Sequence, residues 1–497
     1  MADSNIIPFQ PLLAQALPTI SGNLDYRQFR DQLLRLDLLL QHSGLEARFL
    51  ELDLQRQQLQ GRKLSPKAQQ NRQLHAVRAL RCILARLILQ EDYRAFAAHL
   101  ADSALLQFFC RISRVDLVSI PAKSSLQRYD WWWSQKDVRQ LVGELLALGA
   151  AVPAQLLLPE AVDLESVFLD TTCVAAPIHY PVDWVLLRDA TRTLTKAIVL
   201  IRDQGLKHRM PAPETFLSGI NKLCIAMAHA GRRKDVRQAR QARKKTLRQM
   251  DRLVGQLRGH AGRYRDLLDK QWEQTQWTRP QADQVLRRLD QVLKQLPQAR
   301  KQARQRILQE QPVPNEEKIL SLYEPDVRVI VRRKPGAEVE FGNTLLLGEN
   351  PQGLIVDWEY FRESAPADAQ LLPRSLGRLE AVFGSRVKAA AADRGFDSEL
   401  NRQGLESDGI YNAVCPRDPR QLAQKSDSWK FKKLQRRRAQ TEGRIAILKN
   451  AFLEPAMRLK GFARRELLVT WTVLTHNLWV IVRWQAEAAE EARQKAA

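Results

Sequence analysis

The sequence predicts an α/β protein with an all-helical N-terminal region and a long helical insertion between its first and second core strands. Three observations lead there. Leucines and valines recur at helical spacing before residue 160. A β-prone segment, Val167 to Val174, then stands alone, with no further strand pattern before Lys318. From Lys318 onward, short strand patterns alternate with helical ones, the layout of a sheet covered by helices.

In the N-terminal region, Leu33, Leu34, Leu36, Leu38, Leu39 and Leu40 form a dense apolar segment. A second helical stretch spans 71–112, with Val77, Leu80, Leu84, Leu87 and Ile88 on its repeat. Pro121 then breaks the chain, and Ser124 or Ser125 is placed to cap a new helix. A short helix, a turn and a capped helix carrying Lys123, Gln127 and Arg128 fit a helix-turn-helix, with Lys123 and Arg128 as candidate DNA contacts. Many all-helical domains share that pattern without reading DNA. Trp131, Trp132 and Trp133 read as core and hinge packing.

After the first strand, residues 184–229 return to helix, and 231–310 form a Gln- and Arg-rich helical region. That region holds 22 Lys and Arg against 8 Asp and Glu, which is +14 of the chain's net +23. Narrow stripes (Leu253, Leu257, Leu267, Leu268; Val285, Leu289, Val292, Leu293) predict a helical hairpin or coiled coil with a solvated basic face. The face suits either a spacer or an arm that tracks phosphates. The second is favoured, because a surface held by i,i+4 pairs would balance its signs. Strands follow over 327–361, with turns at Pro335-Gly336 and Asn350–Gly353. A helix around 367–384, a strand ending at Asp393, a strand at 409–411 and a cationic helix around Glu442 complete the order. The expected divisions are 1–160, helical and DNA-binding or dimerising; 161–190, first strand; 191–315, basic insertion; 316–485, remainder of the core; and 486–497, a tail.

Apolar residues make up 44 % of the 497, which fits a globular chain. The isoelectric point of about 10.1 suits a polyanionic partner. Cys82, Cys110, Cys173, Cys224 and Cys415 lack the close pairing of a disulfide framework or zinc ribbon, and the eight His show no metal-binding spacing. The N-terminal residues lack the pattern of a signal peptide. Leu467 to Val482 is uncharged but carries Thr470, Thr472, Thr475, His476 and Asn477, so it reads as a buried helix rather than a membrane span. A reducing cytoplasm is expected.

The candidate chemistry lies in three acids. Asp170 and Asp393 each end a run of apolar or small residues, and Glu442 lies in a helix crowded with Arg and Lys. A carboxylate is costly to bury unless it is paired or holds a metal. Converging carboxylates suit Mg²⁺, a hard cation that prefers oxygen ligands. Two such ions about 3.5–4 Å apart can clamp the attacking and leaving oxygens of an in-line phosphoryl transfer. Gly395 is placed to let the chain turn away after the strand. Arg438 lies four residues before Glu442 and Lys449 seven after it, all on one helical face.

The pieces LDTTCVAAPIHYPVD, EVEFGN, AADRGF and the RxxxExxxxxxK spacing make the chain resemble DDE-type insertion-sequence transposases, from about Arg72 to Trp479. The resemblance implies an RNase H-like catalytic core in which Asp170, Asp393 and Glu442 are the catalytic and metal-binding triad. It implies two Mg²⁺ ions, with Mn²⁺ able to substitute, and contacts from Arg438, Lys449 and Arg394 to DNA. In that family a Tyr stands where this chain has Gln435, within a Tyr-x2-Arg-x3-Glu-x6-Lys pattern. His179, Pro181 and Asp183 match the loop after the first strand and are expected to be structural. The implied activity is phosphodiester hydrolysis at transposon ends followed by 3′-hydroxyl strand transfer into target DNA. The implied partners are both DNAs and at least a second copy of the chain, without a membrane, in a bacterial-type cytoplasm at the nucleoid. The alternatives are a nuclease of the same fold without transfer and an inactive architectural nucleic-acid binder.

Overall fold

The computed structural model describes residues 17, 19–61, 64–112, 117–232, 234–334, 337–384, 387–453 and 459–496. The expected turn at Pro335-Gly336 lies outside them.

The N-terminal region is helical throughout its described residues: α1 (Leu24–His42), α2 (Leu45–Leu59), α3 (Pro66–Ile88), α4 (Tyr93–Asp102), α5 (Ala104–Phe109), α6 (Lys123–Tyr129) and α7 (Gln135–Ala151). Helix starts follow from local chemistry. Ser65 accepts from the Ala68 N–H with Pro66 at the first position, and Asp92 caps α4. The cap expected at Ser124 or Ser125 is absent, since α6 starts from Ala122 with no side-chain bond. The capping serine is Ser134, which forms a reciprocal box with Asp137 at the start of α7. Trp133 is buried against Phe49 and Trp471 and donates to the Phe49 carbonyl at 2.9 Å, whereas Trp131 is exposed.

The insertion comprises α8 (Asp183–Asp203), α9 (Pro213–Gly231), α10 (Val236–Gln271) and α11 (Arg279–Ala303). The expected hairpin of α10 and α11 does not stand alone. Its stripes close over α8 and α9, and the four helices share a core separate from that of the rest of the chain, including Leu194, Ile198, Ile220, Val254, Leu257, Leu289 and Val292. Asp183 has a structural place. Its carboxylate accepts from Gln302 at 2.8 Å and pairs with Arg306 at 2.9 Å, tying the two ends of the insertion together.

The sheet is mixed. Its centre is β1 (Ser166–Ala175). The strands β2 (Arg328–Lys334), β3 (Ala337–Glu349) and β4 (Ile355–Tyr360) lie on one side, where β3 runs antiparallel to β1 and carries β2 and β4 on its far edge. The strands β5 (Ala389–Ala392) and β6 (Tyr411–Asn412) lie on the other side, parallel to β1 and to each other. Gly342 is where the end of β1 meets β3, and a Cβ there would fall 2.1 Å from the Val174 carbonyl oxygen, so no other residue fits.

Helices α12 (Asp368–Phe383), α13 (Glu399–Ser407), α14 (Pro419–Lys425), α15 (Trp429–Ile447) and α16 (Phe462–Ala496) complete the chain. The last is the buried helix expected at Leu467 to Val482; it packs on α1, α3 and α7, and the residues expected as a tail from 486 form its final turns. Among the described residues no helix is long and apolar enough to cross a membrane.

Candidate active site

The parallel pairing of β1 with β5 ends at Leu169 opposite Ala392. Asp170 and Asp393 are the next residues of each strand, so they stand side by side where the parallel pairing stops: Asp393 just past the carboxyl end of β5, and Asp170 within β1, which runs on to Ala175 beside β3. In open α/β sheets the carboxyl edge of the parallel strands is where ligands bind. Asp170 Oδ1 accepts from the Thr171 N–H at 2.7 Å, and Asp393 Oδ1 accepts from the Gly395 N–H at 2.8 Å. Gly395 is needed for space more than for turning. A Cβ there would lie 2.6 Å from Asp368 Oδ2 and 3.0 Å from Asp393 Oδ1.

The third acid arrives on α15, which lies against β1 and β5. This helix is fixed by a buried clamp. Glu349, 1 % exposed, accepts from Arg437 at 2.7 Å and from Arg444 at 3.2 Å, residues that precede and follow Glu442 on the helix. The Arg437 guanidinium also stacks on Phe168, two residues before Asp170. Glu442 itself is exposed. Between the acids lies Arg438, 3.8 Å from Asp170 Oδ2 and 3.6 Å from Glu442 Oε1.

Lys449 lies beyond the end of α15. The helix α15 ends at Ile447 and the chain widens into a π-helical turn, Leu448–Leu453, which shifts the register expected from a continuous helix. Arg394 is exposed directly after Asp393. Lys123 and Arg128 lie on α6, which packs on α3 and α4 in the N-terminal region rather than on the sheet. One acid escaped the sequence reading. Asp368, at the start of α12, accepts from Thr171 Oγ1 at 3.2 Å and lines the same cavity as Asp170 and Asp393, about 770 Å³ in volume, together with Arg328 and Arg417. In sequence it is an acid after a proline at a helix start, which reads as a cap.

Burial, and then the charge of Asp393, push the Asp170 carboxyl up to about 6; Glu442 adds to this, while the Thr171 N–H and Arg438 oppose it. The donors are oxygen-only, as a hard divalent cation requires, and a buried acid with a raised pKa beside a second acid calls for a compensating cation. Asp170 and Asp393 therefore fit such an ion by chemistry. Among the described residues, however, no three His, Cys, Asp or Glu side chains stand close enough to hold one metal together. Arg438 sits between Asp170 and Glu442.

The raised pKa has a measurable consequence. Between about pH 4 and 6 the folded chain holds a proton on Asp170 that the unfolded chain has released. Stability present at low pH is therefore lost as pH rises through this window, by about 3 kcal/mol for a shift of this size. In chelator, Asp170→Asn is expected to be no more stable than the unaltered chain near pH 4 and clearly more stable at pH 7, measured by denaturant unfolding. A difference independent of pH would mean that Asp170 does not titrate as its surroundings require.

Residues 350–478 match the transposase DDE domain family. The matched stretch runs from the turn before β4 into α16 and holds Asp393, Arg438 and Glu442; Asp170 precedes it. No curated protein and no solved structure matches the chain. The match over 350–478 supports a DDE-type transposase, a family that implies DNA as the substrate.

Proposed function

We propose that the chain cleaves phosphodiester bonds at the ends of its own mobile element and passes the freed 3′-hydroxyl to target DNA, with the mixed sheet and α15 acting as an RNase H-like core. The observation that carries this reading is the placing of Asp170 and Asp393 side by side where the β1–β5 pairing stops, with Arg438 of α15 bridging Asp170 and Glu442. Two Mg²⁺ ions, replaceable by Mn²⁺, would supply Lewis acidity and lower the pKa of a bound water. Asp170, Asp393 and Glu442 would hold them.

The chain's own residues do the rest. Glu349 keeps α15 at a fixed depth through Arg437 and Arg444, so Glu442 stays beside the place where the β1–β5 pairing stops. Arg438, Arg394 and Lys449 offer cations to the phosphates on either side of the bond to be cut, and Arg328 and Arg417 line the cavity beside the acids. The exposed Arg237, Lys245, Arg248 and Arg252 of α10 extend the basic surface into the insertion as an arm that tracks phosphates. Lys123 and Arg128 on α6 are assigned to recognition of the element's ends. Two ends must be held together for transfer, so the working unit is at least a homodimer on DNA, in the cytoplasm with the nucleoid.

The test is incubation of the chain with labelled DNA carrying the element's terminal repeats and an unlabelled target, with Mg²⁺ or with a chelator. Cut and joined products are expected with Mg²⁺ and neither with chelator. Cut products without joining would favour a nuclease of the same fold. DNA binding without cutting in either condition would favour an architectural protein.

A further inference from the structure

Gln435 stands one turn before Arg438 on α15, half-buried against the ends of two strands. Its amide Nε2 donates to the Ala392 carbonyl at 3.2 Å and to the Ala413 carbonyl, so it bridges the last residue of β5 and the residue just past β6. Its Oε1 accepts from Arg438 Nε at 3.2 Å. A primary amide has two N–H donors and a carbonyl acceptor, and here all are used. A tyrosine hydroxyl has one donor and could not serve both carbonyls. Ala392 directly precedes Asp393, so Gln435 reads the position of one acid-bearing strand end and passes it to Arg438.

Arg438 is held but not saturated. Its distances to Asp170 and Glu442, 3.8 and 3.6 Å, are ion-pair distances longer than a hydrogen bond. Its Nη1 is buried without a hydrogen-bond partner. Two carboxylates and one guanidinium thus share the place where a divalent ion would draw the acids together.

We propose that Gln435 is a positioning residue that keeps the Arg438 guanidinium between Asp170 and Glu442 as an internal cation, which excludes a divalent ion from that gap until a phosphate draws the guanidinium away. The proposal rests on the reading of the three acids as a metal site. It orders the events at the site: DNA first, a full set of metal ligands second. The inward-facing Arg438 would then be the reason the acids are not clustered in the free chain.

The test uses Mn²⁺ alone, with the full chain and no DNA, and reads the ion's affinity by titration calorimetry or by the loss of its free-ion electron spin resonance signal. Removing a positive charge beside a divalent ion is expected to tighten Mn²⁺ binding at least about tenfold in Arg438→Gln. Gln435→Leu, and Gln435→Met as a second variant of similar length, are expected to tighten it in the same direction, with unfolding that stays cooperative and a midpoint lowered only by the loss of the bonds to Ala392 and Ala413. The double variant Gln435→Leu/Arg438→Gln is expected to bind no more tightly than Arg438→Gln alone, because Gln435 acts through Arg438. Adding DNA should raise Mn²⁺ affinity in the unaltered chain and much less in the variants. Unchanged affinity in both Gln435 variants, or full additivity in the double variant, would overturn the proposal. Absence of Mn²⁺ binding in every form, with and without DNA, would instead remove the metal site on which it rests.

Discussion

Asp170→Asn, Asp393→Asn and Glu442→Gln are each expected to lower cleavage of end-containing DNA by about a thousandfold or more, while leaving DNA binding nearly intact. Each change removes one negative charge and one oxygen ligand at almost constant shape. The charge stabilisation that a bound metal gives a transition state is worth several kcal/mol, and each 1.36 kcal/mol is a factor of ten in rate. The three variants should differ in a way that separates site damage from misfolding. Asp170→Asn relieves the cost of burying a charge beside Asp393, so it should lose activity while gaining stability at neutral pH. Glu442 is exposed, so Glu442→Gln should change stability little. Single-turnover cleavage, gel-shift binding and denaturant unfolding on the same preparations give the comparison. Cleavage near the unaltered rate in any one variant would remove that residue from the site.

The largest effect on stability is expected away from the site, at Glu324. This carboxylate is 2 % exposed and pairs with Arg465, which is fully buried; it also accepts from the Gly461 N–H at 2.9 and 3.1 Å. Arg465 in turn donates to Asn343 on β3 at 3.2 Å. One ion pair therefore joins the segment returning from the insertion, the first turn of α16 and the central hairpin. Glu324→Leu leaves the guanidinium buried without its counter-charge, and a loss of about 3–5 kcal/mol is expected. The double variant Glu324→Leu/Arg465→Met should recover most of it, since a matched apolar pair leaves no stranded charge. Denaturant unfolding of the two variants decides the matter. A single-variant loss below about 1 kcal/mol would show that water reaches the pair in solution.

The parts of the site that sequence made visible are those whose signal is local. Asp170 and Asp393 stood out because an acid at the end of an apolar run is anomalous; Asp393 does follow the end of β5, whereas Asp170 lies within β1, just past its pairing with β5. The four-residue spacing from Arg438 to Glu442 sufficed to place both on one face, as their 3.6 Å approach bears out. The lone first strand followed by a long helical stretch gave the insertion. What sequence hid depends on partners far along the chain. The bonds of Gln435 go to backbone carbonyls of β5 and β6, which carry no side-chain signature. The two arginines on Glu349 look like any others in a cationic run. Asp368 reads as a helix cap until α12 is seen to begin beside Thr171. The position of Lys449 was read from an unbroken α-helix, and the π-helical turn after Ile447 is a feature that spacing alone does not reveal. At α6, two serines in the expected place distracted from Ser134, where a carboxylate three residues on completes the box.

The joined ends of the insertion bear on how the chain reaches its fold. Ala175 pairs with Gly342, a contact between residues very far apart in sequence, and such pairings are slow because loop closure must precede any reward. The four insertion helices, by contrast, pack on one another and have a core of their own. They can form early, and once Asp183 has met Gln302 and Arg306 the loop is already shut. For the search of β1 for β3, the effective separation then falls to the few tens of residues outside the bundle, an entropic saving of about 1 kcal/mol. The insertion would thus serve as a folding tether, and lesions at Asp183 should slow assembly of the sheet more than they weaken the finished one.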